Sequence, residues 1–184
     1  IPRQLAAGLP EGAIRCGEAV ERVEDGRVIL AGGAVVTADH VVVATEGPAA
    51  ARLLGTDPVG SRAASCVWFS APEAPVEDRL VILDGTGPAR NVAVMTNVAP
   101  TYAPPGRSLI AAAVPGRADS SLEPAVRAQL RGWWGAPVDG WEHLRTDAIV
   151  HGQPDQSPPF APKQAVAVRP GLWVCGDHRD TGSI

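Results

Sequence analysis

At residues 171–178 the chain reads GLWVCGDH, a short apolar run that leads into Gly176 and Asp177. This pattern predicts a buried strand that ends at the carboxyl edge of a sheet, where open α/β sheets bind their ligands. At that edge Gly176 would let a ligand approach the backbone closely, and Asp177 would accept hydrogen bonds from ligand hydroxyl groups. A strand-to-helix turn with a capping aspartate and no ligand accounts for the same spacing.

A second segment, residues 38–45, predicts a neighbour for this strand. Its continuous valine run is typical of a strand buried on both faces, as in a parallel sheet. A helix is predicted directly after it, at 48–54, which completes a strand–loop–helix unit. The segments before it predict a short helix at 2–9 and a three-stranded antiparallel meander over 19–37 with two glycine turns.

The middle of the chain has a different character, which begins near residue 59. The fold class predicted is α/β with α+β character: a partial Rossmann-like domain formed by both ends of the chain, and a mixed sheet in the middle. The segments are 1–58, 59–154 and 155–184. Within the middle segment we predict strands at 63–70, 79–83, 91–95, 108–114 and 141–150, and a helix over 121–134 with Ser121 or Ser120 as its N-cap.

Composition excludes several classes of protein. The 184 residues carry a formal net charge of −4, with 45% hydrophobic and 20% charged residues, as in an ordinary soluble domain. No apolar stretch is long enough to span a membrane, no Lys and Arg cluster indicates a nucleic-acid surface, and the first residues lack the pattern of a signal peptide. We therefore expect a cytoplasmic protein that binds no nucleic acid, and the oligomeric state stays open.

Patterns for metal binding and for nucleophilic catalysis are weak. Cys16, Cys66 and Cys175 are far apart and form no C-x-x-C pair, so neither a zinc site nor a disulfide framework is predicted. The D-H-x-D pattern at 177–180 has the residue types of metal ligands, yet alternate loop residues seldom converge without further ligands. A metal-dependent hydrolase built on Asp177 and His178 stays open as an alternative, and no metal ligand is assigned.

The stretch WVCGDH at 173–178, with GSI at 182–184, resembles the C-terminal FAD-binding motif of the flavin amine oxidase superfamily. Residues 19–23 with Gly33 and residues 39–45 are similar to the internal flavin-domain stretch of that family, and 2–6 resembles the helix before it. Residues 97–107, and Trp141 with 153–154, look like its phytoene-desaturase-like and protoporphyrinogen-oxidase-like branch. The resemblance implies an FAD-dependent oxidoreductase that transfers hydride from a C–N or C–C bond of a small organic substrate to flavin N5.

The same resemblance implies which positions contact FAD. Val20 matches the valine whose backbone contacts the adenine, and Asp177 the acidic residue that faces the ribityl–pyrophosphate part, where Gly176 lets the cofactor approach. Ser183 begins the last helix, and Ile184 matches the residue whose amide lies near the flavin pyrimidine ring. Segments 1–58 and 155–184 would then belong to the FAD-binding domain, and 59–154 would be the substrate domain.

One defining element of the family is absent from these 184 residues: the Gly-x-Gly-x-x-Gly loop that cradles the pyrophosphate. The nearest match, DGTG at 84–87, lacks the third glycine and predicts a hairpin turn. We therefore expect a carboxyl-terminal portion of a longer flavoprotein, inactive by itself and with weak FAD binding or none. The alternative from another class is a non-catalytic domain that binds a protein partner.

No catalytic residue is assigned. The single lysine, Lys163, precedes the last strand and lies outside the substrate segment. Six aromatic residues are candidates for substrate contact, although packing in a core is the commoner role of such side chains. They are Trp68, Phe69, Tyr102, Trp133, Trp134 and Trp141.

Overall fold

The computed structural model describes residues 2–159, 161, 163–180 and 182, and the chain divides into two compact units. Unit 1 comprises residues 1–59 and 158–184, and unit 2 comprises residues 60–157. The sequence predicts 59–154 for the middle segment. Two of the predicted FAD contacts, Ser183 and Ile184, lie outside the described residues.

Unit 1 is built around two parallel strands that come from distant parts of the chain. Strand β4 (Val41–Val43) pairs in parallel with β11 (Leu172–Val174), and β10 (Ala167–Arg169) is antiparallel to β11. The predicted meander forms a separate antiparallel sheet in the order β1-β2-β3. The remaining elements are α1 (Pro2–Ala7), β1 (Val20–Glu24), β2 (Arg27–Leu30), β3 (Val35–Thr37) and α2 (Gly47–Leu54).

The core of unit 1 forms where the two parallel strands pack on α2. Apolar spacing along α2 places its buried side chains on one face, and Gly55 ends the helix with a left-handed backbone (φ 65°) that glycine adopts without strain. The buried cluster is Val43, Ala50, Leu53, Leu172 and Val174, against which Val20, Val23, Val41 and Leu54 pack with partial burial.

Strand β4 is not buried on both faces, contrary to the prediction from its valine run. The side chain of Val42 is 59% exposed, whereas that of Val43 is 5% exposed. Successive side chains of a strand point to opposite faces, and only one face of β4 contacts the α2 core. A run of valines therefore indicates a strand without deciding how many of its faces are covered.

Unit 2 is a five-stranded sheet in the order β6-β7-β8-β5-β9, with one face packed on helix α4 (Glu123–Trp134). The α/β class is confirmed, but this sheet, expected to be mixed, is antiparallel. Strands β6 and β7 are joined by the short turn at 84–90, which permits only antiparallel pairing. The elements are β5 (Ser61–Ala71), β6 (Val81–Leu83), β7 (Asn91–Val94), α3 (Met95–Val98), β8 (Ser108–Pro115) and β9 (Glu142–Pro154).

The two faces of the unit 2 sheet differ in burial. On β5, Val67 and Phe69 are fully buried against the α4 side, while Trp68 between them is only half-buried on the other side. The α4 side is reinforced by Arg127, whose guanidinium lies 5.0 Å from the ring centroid of Phe69. Arg127 also donates to the carbonyl of Trp141 at 3.0 Å, and this bond ties the helix to the start of β9.

The predicted N-cap of α4 is wrong. The helix begins at Glu123 with Leu122 at the cap position, where no side-chain cap bond forms among the described residues. Ser121 is instead held by Asp119, whose Oδ1 accepts hydrogen bonds from the Ser121 backbone N–H at 2.8 Å and from its hydroxyl at 2.6 Å. Because the hydroxyl of Ser121 is bonded to Asp119, it does not cap the helix.

The DGTG stretch is a hairpin turn, as predicted. It connects β6 to β7, and the carboxylate of Asp84 accepts hydrogen bonds from the Thr86 backbone N–H at 2.7 Å and from Gln129 Nε2 at 2.7 Å. These bonds lower the pKa of Asp84 below its ordinary value, with the Thr86 backbone bond as the largest cause. The turn serves to dock the hairpin on α4.

None of the described helices is both long enough and apolar enough to cross a membrane. Cys16, Cys66 and Cys175 are all free thiols.

We expect unit 2 to depend on the packing of α4. Leu130→Ala, at a fully buried position, should lower the free energy of unfolding by about 2 to 5 kcal/mol, because it leaves a cavity under the sheet. Leu83→Ala is the matched control, since Leu83 is 77% exposed and its loss should cost less than about 0.5 kcal/mol. Urea unfolding measures both, and equal losses would contradict the assignment of this core.

Candidate functional site

The carboxyl edge of the parallel strands brings two loops together in unit 1. After β4 the chain runs through Thr45 into α2, and after β11 it runs through Gly176 into a single helical turn over Asp177–Arg179. The backbone N–H of Cys175 donates to the carbonyl of Val43 at 2.9 Å, so the pairing continues to the start of both loops. This is the edge at which open α/β sheets bind ligands.

His178 packs between these two loops. It is buried, with its side chain 2% exposed, and a Cβ added at Gly47 would lie 3.1 Å from the Cβ of His178. A Cβ at Gly176 would lie 2.9 Å from both Cε1 and Nδ1 of the imidazole, and the φ of Gly176 (149°) is itself unfavourable for other residues. Packing against His178 therefore already requires a glycine at position 176, the residue that the sequence predicts as a point of close ligand approach.

The structure describes three of the predicted FAD contacts, which are Val20, Gly176 and Asp177. Asp177 follows Gly176 directly, and its side chain is 49% exposed, so its carboxylate is available to a ligand at the edge. Val20 begins β1, an edge strand of the meander, and its side chain packs against the α2 core. Gly176 and Asp177 thus sit at one edge, and Val20 is connected to that edge through the shared core.

Burial makes His178 an unusual group at this edge. Its Nδ1 has no hydrogen-bond partner among the described residues and lies 3.9 Å from Asp177 Oδ1. Burial lowers the pKa of His178 below its ordinary value of 6.5, the neighbouring Arg179 lowers it further, and Asp177 partly opposes both. The imidazole is therefore favoured in its neutral form.

The alternative of a metal centre gains no support from this geometry. His178 Nδ1 lies 3.9 Å from Asp177 Oδ1, and these two side chains alone fall short of the three protein ligands of a catalytic zinc site. Within the part of the chain that the structure describes, no group of three or more His, Cys, Asp or Glu side chains is arranged to hold a metal ion.

Unit 2 carries a pocket on the sheet face that turns away from α4. It has a volume of about 410 Å³ and is lined by Trp68, Leu109, Leu144 and Arg145. Pockets for small molecules are typically of this size and are lined by apolar and aromatic side chains with few polar groups. Of the six aromatic candidates, Trp68 is the one that lines it; Phe69 and Trp141 are buried in the core, and Trp133 and Trp134 pack against that core.

A register shift in β9 shapes this pocket. Trp68 pairs with Arg145 while Phe69 pairs with His143, which leaves Leu144 as an extra residue. Such a bulge re-aims neighbouring side chains, and here Leu144 and Arg145 both line the pocket. No local pattern in the sequence singles out either residue, because a bulge depends on pairing with a distant strand and leaves the local pattern unchanged.

The sequence matches the family model for flavin containing amine oxidoreductases over residues 1–184. No curated protein matches the chain in sequence.

Solved structures share the fold. A protein of Exiguobacterium sp. 255-15, provisionally named a protoporphyrinogen oxidase, is similar with a TM-score of 0.72 at 16% identity, over 96% of this chain and 45% of its own. A reduced UDP-galactopyranose mutase has a TM-score of 0.65 at 12% identity, over 83% and 39% of the two chains. Iminodiacetate oxidase from Chelativorans sp. BNC1 has a TM-score of 0.54 at 16% identity, over 85% and 42%. The chain therefore spans less than half the length of these proteins.

We expect acid to destabilise unit 1 through His178. The folded chain holds the pKa of His178 below 6.5, so the unfolded chain binds the proton more tightly, and the free energy of unfolding falls as the pH drops below about 6.5. His178→Gln should remove this part of the pH dependence, measured by urea unfolding at about pH 8 and about pH 5. His143→Gln, at an exposed position, is the control and should keep it; the same slope in all three proteins would contradict the prediction.

Proposed function

Because the chain belongs to the flavin-containing amine oxidoreductases, we propose that it is part of an FAD-dependent oxidoreductase that oxidises a small organic substrate. The observation that carries the proposal is the edge of the parallel strands, where Gly176 and Asp177 follow β11 directly beside the loop after β4. In this proposal unit 1 binds the cofactor and unit 2 binds the substrate.

The residues at the edge of unit 1 fit a dinucleotide. Asp177 offers an exposed carboxylate that accepts hydrogen bonds from hydroxyl groups, and it follows a glycine that carries no side chain into the edge. The loop after β4 leads through Glu46 into Gly47 and Pro48 at the start of α2, where His178 packs against Gly47. Val20 contributes backbone groups on the outer strand of the meander.

When bound, FAD supplies the hydride-accepting chemistry at flavin N5, which amino-acid side chains do not provide. The part of this chain is to bind and orient. Asp177 would hold the polar ribityl portion, and the His178 imidazole packs against the turn that carries Asp177. No side chain of the described residues is assigned a proton-transfer role.

Unit 2 provides the substrate surface in this proposal. The pocket beside Trp68 has the size and the apolar lining of a site for a small organic molecule. Its polar group, Arg145, would orient the substrate without taking part in the chemistry. The site is therefore the candidate substrate pocket of the enzyme.

The cofactor assignment is tested on the protein produced from the complete reading frame that contains this chain. We expect it to be purified with bound flavin, visible in its absorption spectrum. Asp177→Ala should lose most of that flavin, because the ribityl hydroxyls lose their acceptor. Asp57→Ala, at an exposed position of the same unit, should retain it. A colourless protein, or equal flavin content in both variants, would refute the assignment.

The 184 residues by themselves stay predicted to bind FAD weakly or not at all and to be inactive. The physical reason is that they contain no glycine-rich loop of the kind that binds pyrophosphate through its backbone N–H groups. Titration of the isolated chain with FAD, followed by flavin fluorescence, measures this. Stoichiometric binding at micromolar concentrations would show that the chain needs no such loop.

A further inference from the structure

We infer that His178 is a positioning residue of the cofactor site: its Nδ1–H donates a hydrogen bond to the carboxylate of Asp177 and holds it in the orientation that accepts hydroxyl groups of the cofactor. This inference rests on the proposed function, which it deepens by naming the side chain that orders the predicted FAD contact. It is carried by a buried polar atom to which the packing of unit 1 gives no partner among the described residues.

The buried atom is Nδ1 of His178. The side chain is 2% exposed, and within the described part of the chain Nδ1 makes no hydrogen bond. A buried polar atom without a partner destabilises a fold, and such atoms are rare in native proteins. An apolar side chain of similar size would fill the same space without that cost, so the imidazole at this position points to a role for its nitrogen.

Asp177 supplies the acceptor. Its Oδ1 lies 3.9 Å from His178 Nδ1, about 1 Å longer than an ordinary N–H···O hydrogen bond. The Asp177 side chain is 49% exposed, so it can rotate about its Cα–Cβ bond and close this distance. Hydrogen bonds in functional sites are often long before a ligand binds and shorten in the complex.

The imidazole is the fixed member of the pair. A Cβ at Gly47 would lie 3.1 Å from the Cβ of His178, and a Cβ at Gly176 would lie 2.9 Å from its Nδ1, so the ring is enclosed on both sides. The backbone N–H of Arg179 donates to the carbonyl of Gly176 at 3.0 Å and closes the turn. Because the ring and the backbone are held, the Asp177 carboxylate is the group that adjusts to them.

The neighbouring arginine does not take this place. Arg179 donates through Nη2 to the carbonyl of Ala165, and among the described residues the ion-pair contact of Asp177 is with His178 and not with Arg179. Burial and Arg179 both lower the pKa of His178, which keeps the ring neutral with a single proton. A proton on Nδ1 gives the Asp177 carboxylate its donor.

The first experiment locates that proton in the 184-residue chain without flavin. Isotope-labelled histidine is followed by nitrogen NMR at about pH 8, and the His178 signal is identified by its loss in His178→Asn. We expect the proton on Nδ1. A neutral ring that carries its proton on Nε2 would overturn the inference, because Nδ1 would then be an acceptor that faces a carboxylate.

The second experiment measures FAD affinity by fluorescence titration of the flavin-free protein from the complete reading frame. His178→Leu keeps the size of the side chain but removes the donor, and should weaken FAD binding roughly tenfold to a hundredfold, the effect of one hydrogen bond to a charged group. His178→Asn keeps an N–H near the position of Nδ1 and should restore most of the affinity. His40→Leu, at an exposed position before the other end of β4, is the matched control and should bind FAD as the wild type does.

A double-mutant cycle separates this role from packing alone. In the Asp177→Ala background, His178→Leu should cause no further loss of FAD affinity, because the carboxylate that His178 orients is gone. Equal losses in both backgrounds, or equal losses in His178→Asn and His178→Leu, would refute the inference while the proposed function stands. A wild-type protein that binds no FAD would refute the proposed function and with it the cofactor role of His178.

Discussion

The parallel pairing of β4 with β11 is the constraint on which unit 1 depends. The two strands are separated in the chain by all of unit 2, so their pairing closes a long loop, at an entropic cost that grows only slowly with loop length. Burial of Val43, Leu172 and Val174 around α2 opposes that cost. The same pairing aligns the loops after both strands, and it thereby creates the edge that carries Gly176 and Asp177.

In each candidate site, one side chain holds its neighbours in position through direct contacts. In unit 1 the buried imidazole of His178 fills the space left by two glycines and sets the path of the turn that carries Asp177. In unit 2 Asp147 holds Trp68 and Arg145 by one carboxylate oxygen. The residues that would touch a ligand are thus positioned by polar or packing contacts that lie behind them, which is how precise sites are generally built.

Much of the fold could be predicted from local patterns. The meander, the hairpin at Asp84, helix α2 and the strand before Gly176 all follow from turn residues and apolar spacing that act over a few residues. The errors arose where a distant or competing contact decides. Asp119 binds Ser121 and so removes the expected N-cap of α4. Only one face of β4 is covered, and the unit 2 sheet is antiparallel. Of the site, Gly176 and Asp177 were predicted, whereas Leu144 and Arg145 were not.

The sequence by itself determined the family, because motifs such as the one at 171–178 keep their order and spacing along the chain. It also determined which segments form strands and turns, since those preferences are local. Only the tertiary structure decided which of Trp68 and Phe69 faces the core, because an apolar run does not state which face of its sheet is covered. It alone placed Arg145 beside Trp68, because strand register and the bulge at Leu144 arise from pairing between β5 and β9.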